Sequence, residues 1–377
     1  MVPRGTCVVD LFAGAGGLSI GAYQAGARVG ASVELNPYAC QTLRANPKYH
    51  GEVIEADVCD LSGQDLRRAA KVKRGEPLVV VGGPPCQAFS KAAYWTESGE
   101  EAAYRRARAQ GVDADRPVLA ERAPDARRDL VYQFWRLVSE SKADGFVFEN
   151  VPSIKHPRNR AIYDQFIQKA RNAGYLLTEL KVNAAQFGVA QSRERVIVMG
   201  SKRSLPTPPT PMYSVDDTTT GLFLRPPVTA GEALDGLDGP EFFEPEEVVS
   251  GRWAEHLKTV PPGSNYKAHT AWAGHPNPTF VTETRFWNFL LKLSPDRPSW
   301  TLAASPGPWV GPFHWQSRRL RTVEMLALQG FPRAYKVEGS RRERVRQMGN
   351  AVPVPVAKVV IGGVLETVTL EEALEVA

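Results

Sequence analysis

The 377-residue chain contains few residues of the kinds that bind zinc or form disulfides. Its four cysteines lie at positions 7, 40, 59 and 86 without Cys-x-x-Cys spacing, and its six histidines form no His-Glu-x-x-His pattern. These spacings indicate neither a zinc site nor a disulfide framework. We therefore expect reduced thiols and no bound metal.

Long hydrophobic runs are also missing from the sequence. Residues 1–10 have no apolar segment typical of a signal peptide, and the run 359–365 is far too short to cross a bilayer. The composition, 43% hydrophobic and 23% charged, is that of a globular protein, and the length is sufficient for two domains. We expect a cytoplasmic protein.

Two common nucleotide-binding signatures are incomplete at the N-terminal glycine-rich turn. Residues 6–12 predict a strand, 13–17 a glycine turn and 18–23 a helix. Ser19 occupies the third glycine position of G-x-G-x-x-G, and no Gly-Lys-Ser/Thr follows. Glycines permit close approach of a ligand, and the helix N-terminus offers free N–H groups, so a carboxylate or a ribose fits better than a pyrophosphate.

Acidic residues follow the next two predicted strands. The strand 28–33 ends at Glu34, about twenty residues beyond the glycine turn, where an acid can hold ribose hydroxyls. The strand 53–56 ends at Asp57. Each acid alone could be solvated surface, but two at successive strand ends favour a ligand site.

A sharp turn follows the fourth predicted strand, 78–81. The sequence Gly82-Gly83-Pro84-Pro85 cannot continue as strand or helix, and it delivers Cys86 to the C-terminal edge of the sheet. Ligands bind at that edge in open α/β sheets. The alternative is a small buried cysteine of the core, but the preceding helix breakers and the polar Gln87 favour a nucleophile.

Two further segments carry candidate chemistry. The strand 145–148 ends at Glu149, a candidate acid, although a solvated strand end would look the same. The polar stretch 91–128 predicts a lid or a nucleic-acid contact, the alternative being an insertion with no role. The alternation of strands and helices up to residue 200 predicts an α/β fold.

The sequence changes character after residue 200. Residues 201–340 are rich in proline and tryptophan and predict a second domain of loops and short strands, with a short helix near 322–329. Another short helix is expected near 341–348. A helix over 356–374 is expected to pack back on the first domain. The net charge of +5 is concentrated in an arginine-rich stretch near the C-terminus, and arginine suits phosphate contact, although a solvated helix face is the simpler explanation.

Taken in order, the motifs resemble those of the C5-cytosine DNA methyltransferases of bacterial and phage restriction-modification systems. The resemblance rests on DLFAGAGG at 10–17, Glu34, Asp57, GPPCQ at 83–87, ENV at 149–151, QSRER at 191–195, RL at 319–320, LQGFP at 328–332 and QMGNAVP at 347–353. It implies a Rossmann-like S-adenosylmethionine-dependent domain, residues 1–200 completed by 341–377, and a smaller loop-rich target-recognition domain, residues 201–340.

The resemblance also implies a mechanism. The Cys86 thiolate would add to C6 of a flipped-out cytosine, so that C5 can accept a methyl group, while a protonated Glu149 relieves charge at N3. Arg195 would lie near the base carbonyl, and Arg193 near the backbone or the thiol. Leu35 stands where many members have an aromatic against the adenine. The implied cofactor-binding residues are Phe12, Gly14, Gly16, Gly17, Glu34, Leu35, Asp57, Val58, Pro84, Asn350 and Val352.

Double-stranded DNA is the expected partner. The protein is expected to be a monomer that associates with the nucleoid through DNA. A cognate restriction endonuclease is a further partner to consider. Conceivable base readers are Arg225, Arg252, Arg285 and Asn288, although a packing or surface role explains each of them better. Three alternatives stay open: an RNA-methylating relative, whose branch carries a Cys-Phe-Thr missing here, a regulatory paralogue and a small-molecule methyltransferase.

Overall fold

The computed structural model describes residues 5–85, 89, 128–215, 224–280 and 287–369. Nine strands occur in these ranges: β1 (Cys7–Leu11), β2 (Arg28–Glu34), β3 (Glu52–Glu55), β4 (Leu78–Gly82), β5 (Gly145–Asn150), β6 (Leu176–Asn183), β7 (Gln191–Ser192), β8 (Glu194–Ser201) and β9 (Ser299–Trp300). Ten α-helices accompany them there: α1 (Gly17–Gln24), α2 (Pro37–Arg44), α3 (Gly63–Ala69), α4 (Leu130–Glu140), α5 (Pro157–Asn172), α6 (Ala230–Leu234), α7 (Ala254–Thr259), α8 (Thr322–Ala327), α9 (Arg341–Asn350) and α10 (Val354–Val368).

Seven strands form one sheet in the order β3-β2-β1-β4-β5-β8-β6. The strands β1 to β5 pair in parallel, whereas β8 is antiparallel to both of its neighbours, β5 and β6. The short strands β7 and β9 pair in parallel as a separate ribbon, with Ser192 opposite Trp300. The C-terminal ends of β1 to β5 therefore meet at one edge, as the predicted α/β fold requires.

Both faces of this sheet are covered, and its central strands are apolar for that reason. Every residue of β1 and β4 is buried. On one face, α4 and α5 contribute aromatic side chains such as Phe134 and Phe166. On the other face, α1 and α10 pack together against Val8, Val79 and Val147. The helices thus hold the ligand-binding edge of the sheet from both sides.

The predicted packing of the C-terminal helix on the first domain is confirmed, because α10 contributes Val356, Val360 and Val364 to the core with β1, β4 and β5. The helix begins at Val354, two residues earlier than expected, since Pro355 is tolerated in the first turn. Within the described ranges, no single helix is long and apolar enough to cross a membrane; only α9 and α10 together, as a bent pair, meet those criteria.

Residues after 201 contribute to two further clusters of buried side chains. One lies wholly within the loop-rich residues after 201 and contains Leu257, Tyr266, Leu290 and Phe313. In the other cluster, residues of α6 and α8 from the same loop-rich part of the chain pack with residues of α1, α9 and α10. The loop-rich segment is therefore packed on the same helices that flank the cleft described below.

Two glycines should respond in opposite ways to replacement by alanine. A β-carbon at Gly21 of α1 would lie 2.4 Å from the β-carbon of Ala357, whereas one at Gly362 of α10 would meet nothing within 4 Å. Gly21→Ala should lower the free energy of unfolding by about 1–3 kcal/mol through overpacking. Gly362→Ala should raise it by about 0.5–1 kcal/mol, since alanine favours the helix. Urea-induced unfolding measures both, and equal effects would contradict this account of the helix contact.

Candidate active site

A cleft of about 590 Å³ lies at the C-terminal edge of the sheet, beside the ends of β1, β2, β4 and β5. Ten of the eleven predicted cofactor residues line it: Phe12, Gly14, Gly17, Glu34, Leu35, Asp57, Val58, Pro84, Asn350 and Val352. Glu149 and Arg195 line it as well. Gly16 and Arg193 are not among the lining residues. The sequence motifs, widely separated along the chain, are thus brought to one cavity.

The glycine turn between β1 and α1 requires an unusual backbone. Phe12, Gly14 and Gly16 all have positive φ angles, of 58°, 54° and 81°. Only glycine adopts this region without strain, so Phe12 is held there by its surroundings. At Gly17 the limit is space, because a β-carbon would lie 2.0 Å from the carbonyl oxygen of Val352. The C-terminal segment therefore closes directly over the turn.

Glu34 is attached to this turn by its carboxylate. One oxygen accepts a hydrogen bond from Gly14 N at 2.8 Å, and the other accepts one from Asn36 N at 2.7 Å. Each oxygen retains a further lone pair for a ligand hydroxyl. Asp57, at the end of β3, accepts a hydrogen bond from Cys59 N at 2.8 Å. Leu35 lies at the rim, where its exposed side chain can cover an aromatic ring face. These acceptors and surfaces fit an adenosyl cofactor.

Asp10 lies behind the turn and is a residue to which the sequence assigned no role beyond its motif. It is completely buried, and one oxygen accepts hydrogen bonds from Ser19 N at 3.0 Å and from Ser19 Oγ. The other oxygen has no partner among the described residues. Burial raises the pKa of Asp10 to about 7, opposed by the two hydrogen bonds from Ser19. The sequence signal that could have indicated a role for this residue is an acidic side chain within an otherwise apolar strand.

Glu149 and Arg195 form a close ion pair at the cleft. Arg195 Nε lies 2.7 Å from Glu149 Oε1, and each side chain is only 10% exposed. The second carboxylate oxygen lies beside the double-glycine turn, where a β-carbon at Gly83 would be 2.8 Å from Oε2. A side chain at position 83 would therefore displace this carboxyl from its present position. The neighbouring Asn150 donates from Nδ2 to Pro84 O at 3.1 Å and so fixes the same turn.

The predicted nucleophile follows this turn directly. Pro84 and Pro85 both line the cleft, and Cys86 is the next residue along the chain. Cys86 itself, Gln87 and the polar stretch as far as residue 127 lie outside the described residues.

Arg193 lies behind the cleft, in contact with the C-terminal segment. It is 2% exposed, and its guanidinium donates to Gly349 O at 2.8 Å and, more weakly, to Gln191 Oε1 at 3.5 Å. Its backbone N donates to Asn183 Oδ1 at 3.1 Å. Arg193 thus ties the start of β8 to the residue before Asn350, which lines the cleft.

Two arginines of the arginine-rich stretch are buried against carboxylates and do not belong to an open phosphate-binding surface. Arg318 pairs with Glu324 at 2.6 Å, and Arg321 pairs with Glu247 at 2.5 Å, all four residues being buried. The prediction of phosphate contact is therefore wrong for these two arginines, because burial against carboxylates leaves them no access to DNA. The remaining ion pairs of this stretch include Arg341 with Glu244, Arg344 with Glu246 and Arg346 with Glu343.

The raised pKa of Asp10 predicts a pH-dependent stability. In the unfolded chain the pKa of Asp10 is near 3.8. Above that pH, the folded protein must either keep the carboxyl of Asp10 protonated or bury its negative charge. The contribution of Asp10 to the free energy of unfolding should therefore fall as the pH rises from 4 to 7, by up to about 4 kcal/mol, and then level off. Urea unfolding of wild type and Asp10→Asn at each pH isolates this contribution. A difference between the two proteins that stays constant from pH 4 to 8 would refute it.

Comparisons with known sequences point to one family. The model of the C-5 cytosine-specific DNA methylase family matches residues 6–366. Type II methyltransferase M.SacI of Streptomyces achromogenes is 36% identical over 385 residues, which cover 95% of this chain and 92% of that protein. M.XorII of Xanthomonas oryzae is 28% identical, covering 95% of this chain and 84% of that protein.

Solved structures show the same fold at lower identity. An Escherichia coli prophage protein, described as a DNA modification methyltransferase, has a TM-score of 0.66 and 23% identity, covering 96% of this chain and 99% of that one. Entamoeba histolytica methyltransferase EhMeth has a TM-score of 0.60 and 14% identity, covering 97% and 99%. The predicted fold class and family resemblance are confirmed: the chain belongs to the C-5 cytosine-specific DNA methylase family and is a DNA (cytosine-5-)-methyltransferase.

Proposed function

We propose that this enzyme methylates a flipped-out cytosine within a specific duplex sequence through a covalent bond between Cys86 and C6. The observation that carries the proposal is the Glu149–Arg195 pair, which lines the same cleft as the Pro84-Pro85 turn leading to Cys86. An aromatic cytosine is a poor nucleophile at C5, so activation must come from groups of the chain. A base stacked in a duplex cannot reach them, and flipping is therefore required.

The residues take the following roles. The Cys86 thiolate forms a bond to C6, and the displaced ring electrons move toward N3, to which Glu149 relays a proton taken from solvent. Arg195 holds one oxygen of Glu149 and lies near the base carbonyl. C5 then becomes nucleophilic. After C5 is methylated, its proton passes to a water molecule and elimination releases Cys86. Arg193 supports this region from behind, through the segment that precedes Asn350.

We propose S-adenosylmethionine as the cofactor, which supplies an electrophilic methyl group. Glu34 would accept hydrogen bonds from the ribose hydroxyls, and Asp57 would accept one from the adenine amine. Phe12 and the glycine turn would hold the methionine part, while Val58, Leu35 and Pro84 give apolar contact. Asn350 and Val352 would close the cleft. Gly16 would act through the shape of the turn, because it does not line the cavity.

We propose residues 1–200 with 341–377 as the catalytic domain and 201–340 as the target-recognition domain. Arg225 and Arg252, two candidate base readers, are exposed, and they stack on Tyr213 and Trp253 at 5.8 and 4.6 Å. Such stacking leaves guanidinium N–H groups available for base edges. Asn288 remains a candidate, and Arg285 lies outside the described residues.

A tryptophan pair offers a DNA contact close to the catalytic residues. Trp300 of β9 lies opposite Ser192, which directly precedes Arg193, and Thr301 Oγ1 donates to Ser192 O at 2.9 Å. Trp287 packs edge-on against Trp300 at 5.8 Å and remains 47% exposed. Exposed aromatic faces stack on bases and sugars. The pair would contact the duplex next to the flipped cytosine.

Replacing Trp287 should weaken DNA binding without affecting the cofactor. Trp287→Ala should raise the KM for DNA about tenfold, since stacking is lost, while Trp287→Phe should retain most of the affinity. Affinity for S-adenosylhomocysteine is the control and should be unchanged. A KM for DNA equal to that of the wild type in Trp287→Ala would exclude this contact.

We further propose that the enzyme acts as a monomer that associates with the nucleoid through DNA. The relatives' designation as Type II methyltransferases supports a cognate restriction endonuclease with the same target sequence. If the enzyme is a monomer, the purified protein should elute as a single chain of 41.4 kDa in size-exclusion chromatography.

Bisulfite sequencing of DNA from a methylation-free host that expresses the chain tests activity and target together. The expected result is resistant cytosines at one recurring sequence. Cys86→Ala should abolish them, because no adduct at C6 can form, and should leave binding of S-adenosylhomocysteine intact. Methyl transfer undiminished in Cys86→Ala would overturn the covalent mechanism. Abundant wild-type protein without resistant cytosines would favour RNA as the substrate.

A further inference from the structure

Three distant parts of the chain meet in a buried polar contact behind the glycine turn. His50, which follows α2, is completely buried, and Tyr335, which follows α8, is 5% exposed. His50 Nε2 lies 2.9 Å from the Tyr335 hydroxyl, and that hydroxyl donates to Ala15 O of the turn at 2.7 Å. None of the functional roles assigned above uses either side chain.

The direction of each hydrogen bond follows from the groups present. A carbonyl oxygen can only accept, so the single hydroxyl proton of Tyr335 is directed to Ala15 O. The hydroxyl oxygen must then accept from His50, whose proton is on Nε2. Burial lowers the pKa of His50 to about 3, which keeps the ring neutral. Its Nδ1 has no hydrogen-bond partner among the described residues. Such a relay fixes the ring in one orientation.

The imidazole also sets the shape of the turn by direct contact. A β-carbon at Gly16 would lie 2.2 Å from His50 Cε1, and Gly16 has a φ of 81°. The backbone of His50 makes a second link, because its carbonyl oxygen accepts from Ser32 Oγ at 2.8 Å. Ser32 belongs to β2, the strand that ends at Glu34. His50 therefore contacts two of the elements that present cofactor-binding groups, the turn and β2.

We propose that His50 and Tyr335 are positioning residues that hold the glycine turn in its cofactor-binding conformation. The inference rests on the assignment of the cleft to S-adenosylmethionine. A phenylalanine and a leucine could fill the same volume without hydrogen bonds. The relay instead ends on Ala15 O, one residue from Gly14, whose N–H donates to Glu34. Without the Tyr335 hydroxyl, the glycine turn loses its hydrogen bond at Ala15 O. Binding of the cofactor must then also order the turn, and this cost weakens the affinity.

Tyr335→Phe tests the proposal, with a closely matched control. Tyr175 is equally buried, and its hydroxyl donates to Ala143 O at 2.6 Å, in the core beneath β5. Calorimetric titration with S-adenosylhomocysteine, without DNA, should show a Kd raised about fivefold to tenfold in Tyr335→Phe. Tyr175→Phe should lose similar stability and keep the wild-type Kd. In Tyr335→Phe, the KM for S-adenosylmethionine should rise in parallel while kcat at saturation stays within about twofold.

His50 provides a second, independent variant. His50→Gln retains an N–H donor and should keep the Kd within about threefold, whereas His50→Leu should raise it as Tyr335→Phe does. A wild-type Kd in folded Tyr335→Phe and His50→Leu overturns the positioning role alone. Failure of the wild-type protein to bind S-adenosylhomocysteine overturns the cofactor assignment, and the positioning role with it.

Discussion

The close approach of Gly17 to Val352 is the constraint on which the rest of the site depends. The main chain of the C-terminal segment lies where a side chain at position 17 would have to be. The contact brings together the first turn of α1 and the residues between α9 and α10. Because Asn350 and Val352 line the same cleft as Glu34 and Asp57, this single fit completes the cavity. The packing of α10 on α1 stabilises this contact between Gly17 and Val352.

The carboxylates around the cleft are held in three different ways. Glu34 accepts from main-chain N–H groups, Glu149 is paired with Arg195, and Asp10 is buried against Ser19. In the proposed mechanism these surroundings suit different tasks: hydrogen bonding to a cofactor, proton transfer to a base, and fixing the first turn of a helix. The residue type alone does not distinguish them. The local donors decide what each acid can do.

The sequence predicted the strands and their terminal residues well, because buried parallel strands are short apolar runs that end in glycine, proline or acid. It was wrong about two residues of the arginine-rich stretch. Arg318 and Arg321 face Glu324 and Glu247, and one of these glutamates lies more than seventy residues away along the chain. A charge profile along the sequence cannot show such pairing, since it treats each charge as solvated. Likewise, nothing in the spacing of His50 and Tyr335 indicated that they meet behind the glycine turn.

The sequence by itself determined which residue types are available for the proposed chemistry: a cysteine after two prolines, an acid after a buried strand, and a glycine turn without the phosphate-binding signatures. These signals are local, because backbone conformation and residue type at a strand end depend on near neighbours. Only the tertiary structure decided which groups share the cleft, which arginines are neutralised inside the protein, and that Gly16 faces a histidine rather than a ligand. Those facts depend on contacts between residues far apart in the chain, where packing rather than local preference sets the distances.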